Sequence, residues 1–132
     1  EQCELVDQFV SHWVSGTGAA YNPERSEGLS IIGVSVSFEA ALGDIAADVN
    51  GFPKSIDTSS RKRDNSLQMN VLRDMIRTDG PYALVLGTAW GLTDDFLSQA
   101  DYLLEPICGP TDYNHLSVRS AAAILLDRLL GT

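Results

Sequence analysis

The sequence predicts an α/β fold, a mostly parallel sheet with helices on both faces. Short apolar or β-branched runs alternate with stretches of helical periodicity, and strands separated by helices of this length need crossover connections. The composition agrees: 132 residues, 44% apolar and 20% charged, with 11 glycines and 5 prolines, describe a compact globular chain able to bury one core. One domain is therefore expected over residues 1–132.

Leu5, Val6, Phe9, Val10 and Trp13 recur at helical spacing, which predicts an amphipathic helix over about 3–15, stopped by Gly16 and Gly18. The β-branched stretch Leu29 to Val36 reads as a buried strand. Ser37 then caps a helix carrying Phe38, Ala41, Leu42, Ile45 and Val49, ended by Asn50, Gly51 and Pro53. Lys54 to Thr58 is a second strand candidate, and Asp64 or Asn65 caps a helix with the stripe Leu67, Val71, Leu72, Met75 and Ile76. Beyond the Asp79-Gly80-Pro81 break, the run Tyr82 to Leu86 is a strand buried on both faces. A short helix over Thr93 to Gln99, a strand at Tyr102 to Leu104 and a last helix from Leu116 to Leu130, closed by Gly131, complete the pattern.

Charge and cysteine content restrict the function. Nine Lys and Arg against 18 Asp and Glu give a net charge of −9, which opposes non-specific adhesion to nucleic acid or anionic lipid, so a nucleic-acid partner needs a local basic patch. No apolar run approaches the ~20 residues of a membrane span. Cys3 and Cys108 lie far apart and suit reduced thiols of a cytoplasmic protein. The chain starts at Glu1 and its methionines are Met69 and Met75, so it reads as a processed product or a piece of something longer.

Ligands of open parallel sheets sit beyond the carboxyl ends of the strands, which singles out three segments. Thr58-Ser59-Ser60 with Arg61, Lys62 and Arg63 can hold an anion or a polar cofactor group, or serve as a solvated turn. In Leu86-Gly87-Thr88-Ala89-Trp90-Gly91-Leu92, two glycines let main-chain amides approach a flat ligand, without the spacing of a P-loop or a dinucleotide fingerprint. The third segment, Leu104 to Arg119, carries Glu105, Cys108, Asp112, Asn114, His115 and Ser117 into a helix that begins Ser120-Ala121-Ala122-Ala123. Asp112, His115 and Ser117 lack the elbow of a hydrolase triad, and Cys3, His12, Cys108 and His115 match no zinc spacing; no metal site is expected.

Five ordered blocks resemble the SPOUT class of S-adenosylmethionine-dependent RNA methyltransferases, nearest a small bacterial branch related to tRNA (guanine-N1) methyltransferase fusions. They are Tyr21-Asn22-Pro23-Glu24-Arg25, Thr58-Ser59 with its basic run, the Leu86 to Leu92 loop, Asp101-Tyr102 with Leu104 to Ile107, and Asp112 to Ile124. The resemblance implies a C-terminal trefoil knot, bound S-adenosylmethionine, a tRNA or rRNA substrate, a homodimer and no membrane association. Position by position it implies cofactor contacts from Thr58, Ser59, Leu86, Gly87, Thr88, Gly91, Leu104, Ile107, Leu116, Ser117 and Ala121. Glu105, Asp112 and Arg119 are the ionisable groups expected nearest the pocket, and hence the catalytic candidates. A dimer of this class would hide Ile124, Leu125, Leu126, Leu129 and Leu130. The chain departs from the class in lacking its first strand-helix-strand unit, in Cys108 where a basic residue is usual, and in Ala89 where glycine is commoner. A non-catalytic knotted dimerisation or binding module is the alternative reading.

Overall fold

A computed structural model describes residues 1–49 and 51–131. It is a mixed α/β chain that divides into two compact units, Glu1–Ile45 and Ala46–Thr132.

The first unit is helical. Helix α1 (Gln2–Val14) packs on α2 (Thr17–Tyr21) and α3 (Pro23–Ser30), and α4 (Phe38–Asp48) begins at its end. Gly16 precedes α2, whereas Gly18 lies within it, where a Cβ would come within 2.8 Å of the Trp13 ring. Asn22 Oδ1 accepts from the Arg25 amide and Pro23 fills the first turn, a strong helix start. The Arg25 guanidinium lies 4.4 Å from the Trp13 ring centroid.

The buried strand expected over Leu29–Val36 does not form. Helix α3 runs through Ser30, residues 31–36 pair with no strand, and Ile31 and Val36 are 85% and 88% exposed. The sheet recruits none of these residues, and β-branched residues without a ladder partner gain nothing from an extended backbone. The Ser37 cap holds, its hydroxyl accepting from Ala40 N. Asn50, expected to end α4, lies outside the described residues; Gly51 follows with φ +146.

The second unit is built on four parallel strands in the order β2-β4-β1-β3: β1 (Lys54–Thr58), β2 (Ser66–Leu67), β3 (Tyr82–Val85) and β4 (Tyr102–Leu104). Helices α5 (Met69–Thr78), α6 (Asp94–Leu97) and α7 (Val118–Leu130) complete it. Ile56 and Leu104 pack with Leu72 of α5 and Leu125 and Leu129 of α7 in one cluster, so these two helices cover one face of the sheet. Ser55, Asp57 and Leu103 alternate to the other face. There Ser55 N donates to Asp101 Oδ2 at 2.7 Å and Asp101 N donates back to Ser55 Oγ at 3.0 Å, tying β1 to the start of β4.

Several expectations need correction. Neither Asp64 nor Asn65 caps α5: Ser66 and Leu67 form the short strand β2, and the helix starts after Gln68. Its first amide, Met69 N, donates instead to Glu105 Oε1 at 2.9 Å, a cap supplied from 36 residues away. Val71 is largely exposed, and Leu72 and Ile76 face the core. The run from Tyr82 is only half-buried because β3 is an edge strand with one neighbour. Leu125 and Leu129 are already consumed by this unit's own core, leaving Leu126 and Leu130 as the exposed leucines of α7.

Candidate functional site

Parallel strands deliver their carboxyl ends to one edge of a sheet, and β1, β3 and β4 are immediate neighbours, so the segments that leave them meet. They enclose a cleft of about 920 Å³, within the range of small-molecule sites. The segment after β1 contributes Thr58 to Arg61 and Arg63; the loop after β3 contributes Leu86 to Asp94; the segment after β4 contributes Glu105 to Ile107 and Asn114 to Ser117. Val118, Ala121 and Leu125 of α7 form a further wall.

Local chemistry holds these walls together. Thr58 Oγ1 donates to Val85 O at 2.9 Å, joining the ends of β1 and β3, and Ser59 Oγ accepts from Arg61 N at 3.1 Å. Arg63 pairs with Asp94, and Asn114 Nδ2 donates to Ser60 O, so the loops after β3 and β4 both fasten to the loop after β1. Ser117 Oγ accepts from Ser120 N at 3.2 Å and caps α7.

At Gly87 the loop after β3 has no room for a side chain. A Cβ at Gly87 would stand 2.6, 2.7 and 2.8 Å from Gly91 C, Leu92 N and Gly91 Cα, all backbone atoms. Gly91 N donates to Thr88 O at 2.9 Å, Gly91 has φ +82, and Ala89 between them has φ +51, a conformation that favours glycine. The result is a tight main-chain cradle.

Thr58, Ser59, Leu86, Gly87, Thr88, Gly91, Leu104, Ile107, Leu116, Ser117 and Ala121 all border this one cleft. Of the three ionisable candidates, only Glu105 does. Its backbone amide donates to Leu67 O at 2.9 Å, and its side chain caps α5. Asp112 and Arg119 are exposed and outside the lining. Sequence reasoning missed Leu125 as a wall residue, although Ser117, Ala121 and Leu125 follow one another at i, i+4 along one helix face. Outside the cleft lining, sequence reasoning also missed Asp57, 1% exposed on β1, whose Oδ1 has no hydrogen-bond partner among the described residues. Burial pushes its carboxyl up to about 6, the Ser55 hydroxyl partly offsets this, and the Asp101 charge adds to it. No motif marks that residue; a carboxylate in a central strand was the available signal.

No group of three or more His, Cys, Asp or Glu gathers as a metal site among the described residues. None of their helices is long and apolar enough to cross a membrane.

Residues 1–131 match a family described as SAM-dependent RNA methyltransferase. Proteins named tRNA (guanine-N(1)-)-methyltransferase from Oleidesulfovibrio alaskensis and Nitratidesulfovibrio vulgaris are each 40% identical over 131 residues, 99% of this chain. The chain spans only 30% of the length of either. An uncharacterized protein of Aquifex aeolicus is 34% identical over 126 residues, 95% of this chain and 62% of that protein. Among solved structures, a probable methylase family protein from Haemophilus influenzae superposes with a TM-score of 0.56 at 24% identity, over 82% of this chain and 49% of that one, a likeness of fold. The chain belongs to the SAM-dependent RNA methyltransferase family.

Proposed function

We propose that this chain is the cofactor-binding part of an S-adenosylmethionine-dependent tRNA methyltransferase, with the cofactor in the cleft at the carboxyl edge of β1, β3 and β4. The observation that carries this reading is the convergence of three adjacent strand exits and the start of α7 on one cleft, one wall of which is a turn closed on itself at Gly87 and Gly91. The names borne by the two 40% identical relatives favour tRNA over rRNA. In this proposal α7 and its approach segment thread as a C-terminal knot, helices cover both sheet faces, and the protein works in the cytoplasm. The exposed Leu126 and Leu130 of α7 meet a second copy in a homodimer.

The residues present fit the cofactor's chemistry. Main chain at Leu86, Gly87, Thr88 and Gly91 would hold the flat adenine: Gly87 lets the turn close on itself, and at Gly91 the position of a Cβ is open. Leu104, Ile107, Leu116 and Ala121 supply apolar contact, and the Thr58, Ser59 and Ser117 hydroxyls flank them with polar groups. The sulfonium brings an already activated methyl group. The protein's tasks are then to align the RNA nucleophile for in-line attack and to accept the proton that nucleophile loses as its bond to the methyl carbon forms. Glu105 on the cleft wall is assigned that acceptor role; Asp112 and Arg119, also expected as catalytic candidates, are exposed outside the lining and are given no part in this step.

One observation favours a second reading. The only catalytic candidate in the cleft lining is already engaged in capping α5, which suits a non-catalytic knotted dimerisation or binding module equally well. Calorimetry with S-adenosylmethionine and with its demethylated product tests the shared part: heat from one site per chain is expected, and none from folded protein refutes it. Transfer of tritiated methyl to tRNA and rRNA pools then separates the two readings, because incorporation into tRNA excludes the module.

A further inference from the structure

Trp90 is fully exposed, the most exposed of the large apolar side chains among the described residues, yet it stands on a tightly closed turn of the cleft wall. The turn beneath it is closed by Gly91 N donating to Thr88 O, fixed by left-handed backbone at Ala89 and Gly91, and pressed against Gly87 with no space for a Cβ. A large indole left wholly in water by a flexible loop has many ways to fold back; one held out by a rigid turn does not. On the loop after the neighbouring strand, Arg61 lines the same cleft and Lys62 follows it; both are exposed and form no ion pair among the described residues, whereas Lys54 and Arg63 do. In a chain of net charge −9, Thr58 to Arg63 is a stretch with three cations and no carboxylate. His115, in edge contact with the exposed ring of Tyr113, adds a second aromatic position to the rim.

An exposed π-face beside unpaired cations is the arrangement that holds single-stranded nucleic acid, bases on the rings and phosphates on the cations. We propose that Trp90 is a stacking platform for an unpaired RNA base at the mouth of the cleft, with Arg61 and Lys62 receiving the adjoining phosphates. This rests on the methyltransferase reading above and adds to it the face by which a looped-out, rather than helical, stretch of RNA is received. Trp90 is thus a positioning residue: it sets which base stands over the cleft.

The test uses Trp13→Phe protein, in which Trp90 is the sole tryptophan, titrated without cofactor with a single-stranded RNA 12-mer of mixed sequence and with an abasic 12-mer of the same backbone. Quenching of the indole emission by the first and not by the second is expected. Trp90→Ala should weaken binding of the 12-mer roughly 5- to 100-fold while leaving the abasic strand unaffected, and Trp90→Phe should retain part of the loss. Arg61→Gln with Lys62→Gln should weaken both strands and lower the slope of log affinity against log salt by about 1.4. Equal binding of the 12-mer by Trp90→Ala, equal quenching by the two strands, or no binding of either overturns the proposal. So does a Trp90→Ala protein that sediments as a smaller species with unchanged RNA affinity, which would make the indole a contact between copies. Calorimetry with S-adenosylmethionine on the same proteins reports on the methyltransferase reading separately, since the strand titrations contain no cofactor.

Discussion

Gly87→Ala puts the glycine cradle to its hardest test. The added methyl carbon meets Gly91 C, Leu92 N and Gly91 Cα at 2.6–2.8 Å, against an optimum of ~3.5–4.0 Å for carbon pairs. No flexible side chain is there to give way; the turn that bears Thr88, Ala89 and Trp90 must itself open. Such overpacking costs about 1–3 kcal/mol, which for a chain of this size lowers the melting temperature by roughly 4–12 °C. The cofactor cleft suffers more than the fold, because the displaced main chain is the surface proposed to face the adenine, and affinity for S-adenosylmethionine should fall at least tenfold. The assay is calorimetry with the cofactor alongside thermal unfolding followed by circular dichroism. A Gly87→Ala protein that melts within 1 °C of the parent and binds the cofactor unchanged would refute the cradle. A loss of stability with intact affinity would keep the packing argument and remove the loop from the binding site.

Three further outcomes follow from other parts of the structure. Ala89→Gly relieves a left-handed alanine at φ +51 and should stabilise the chain by about 0.5–1 kcal/mol, read as a higher denaturant midpoint with unchanged slope. Asp57, with its carboxyl raised to about 6 against ~3.9 in an unfolded chain, favours the folded state while protonated; that contribution is complete below pH ~4 and is lost as pH rises through 6, up to about 3 kcal/mol in all. Asp57→Asn should therefore flatten the fall in stability between pH 4 and 6.5, measured by urea unfolding, and an unchanged profile would assign the slope elsewhere. Glu105→Ala removes the acceptor of the Met69 amide and should cost about 1 kcal/mol, whereas Glu105→Gln keeps an oxygen there and most of the stability. If Glu105→Gln also keeps full methyl transfer to tRNA, the carboxylate is a cap and not a proton acceptor.

What could be read from the sequence divides along a physical line. Ser37, Thr93 and Ser117 cap helices by reaching amides three residues away, and a cap of that span is written in consecutive letters. The cap of α5 is not: its acceptor is Glu105, and nothing near Gln68 announces that a carboxylate will arrive from the end of the neighbouring strand β4. The same distinction explains the error at Leu29 to Val36. Branched side chains state a preference for extended backbone, but a strand needs a ladder partner, and residues 31–36 have none in the sheet formed by β1 to β4. The cleft was legible for a third reason. Parallel order sends every strand exit to one edge, so reading the strands after Pro53, Pro81 and Asp101 was already reading which loops would meet. What those loops left unstated is the role of the one carboxylate they bring to the cleft: Glu105 lines it, yet its side chain is held by the Met69 amide at the start of α5. The residues that line this cleft follow from topology, and the group that moves a proton there does not, which is why the Glu105→Gln comparison decides more about function than any further reading of the loops.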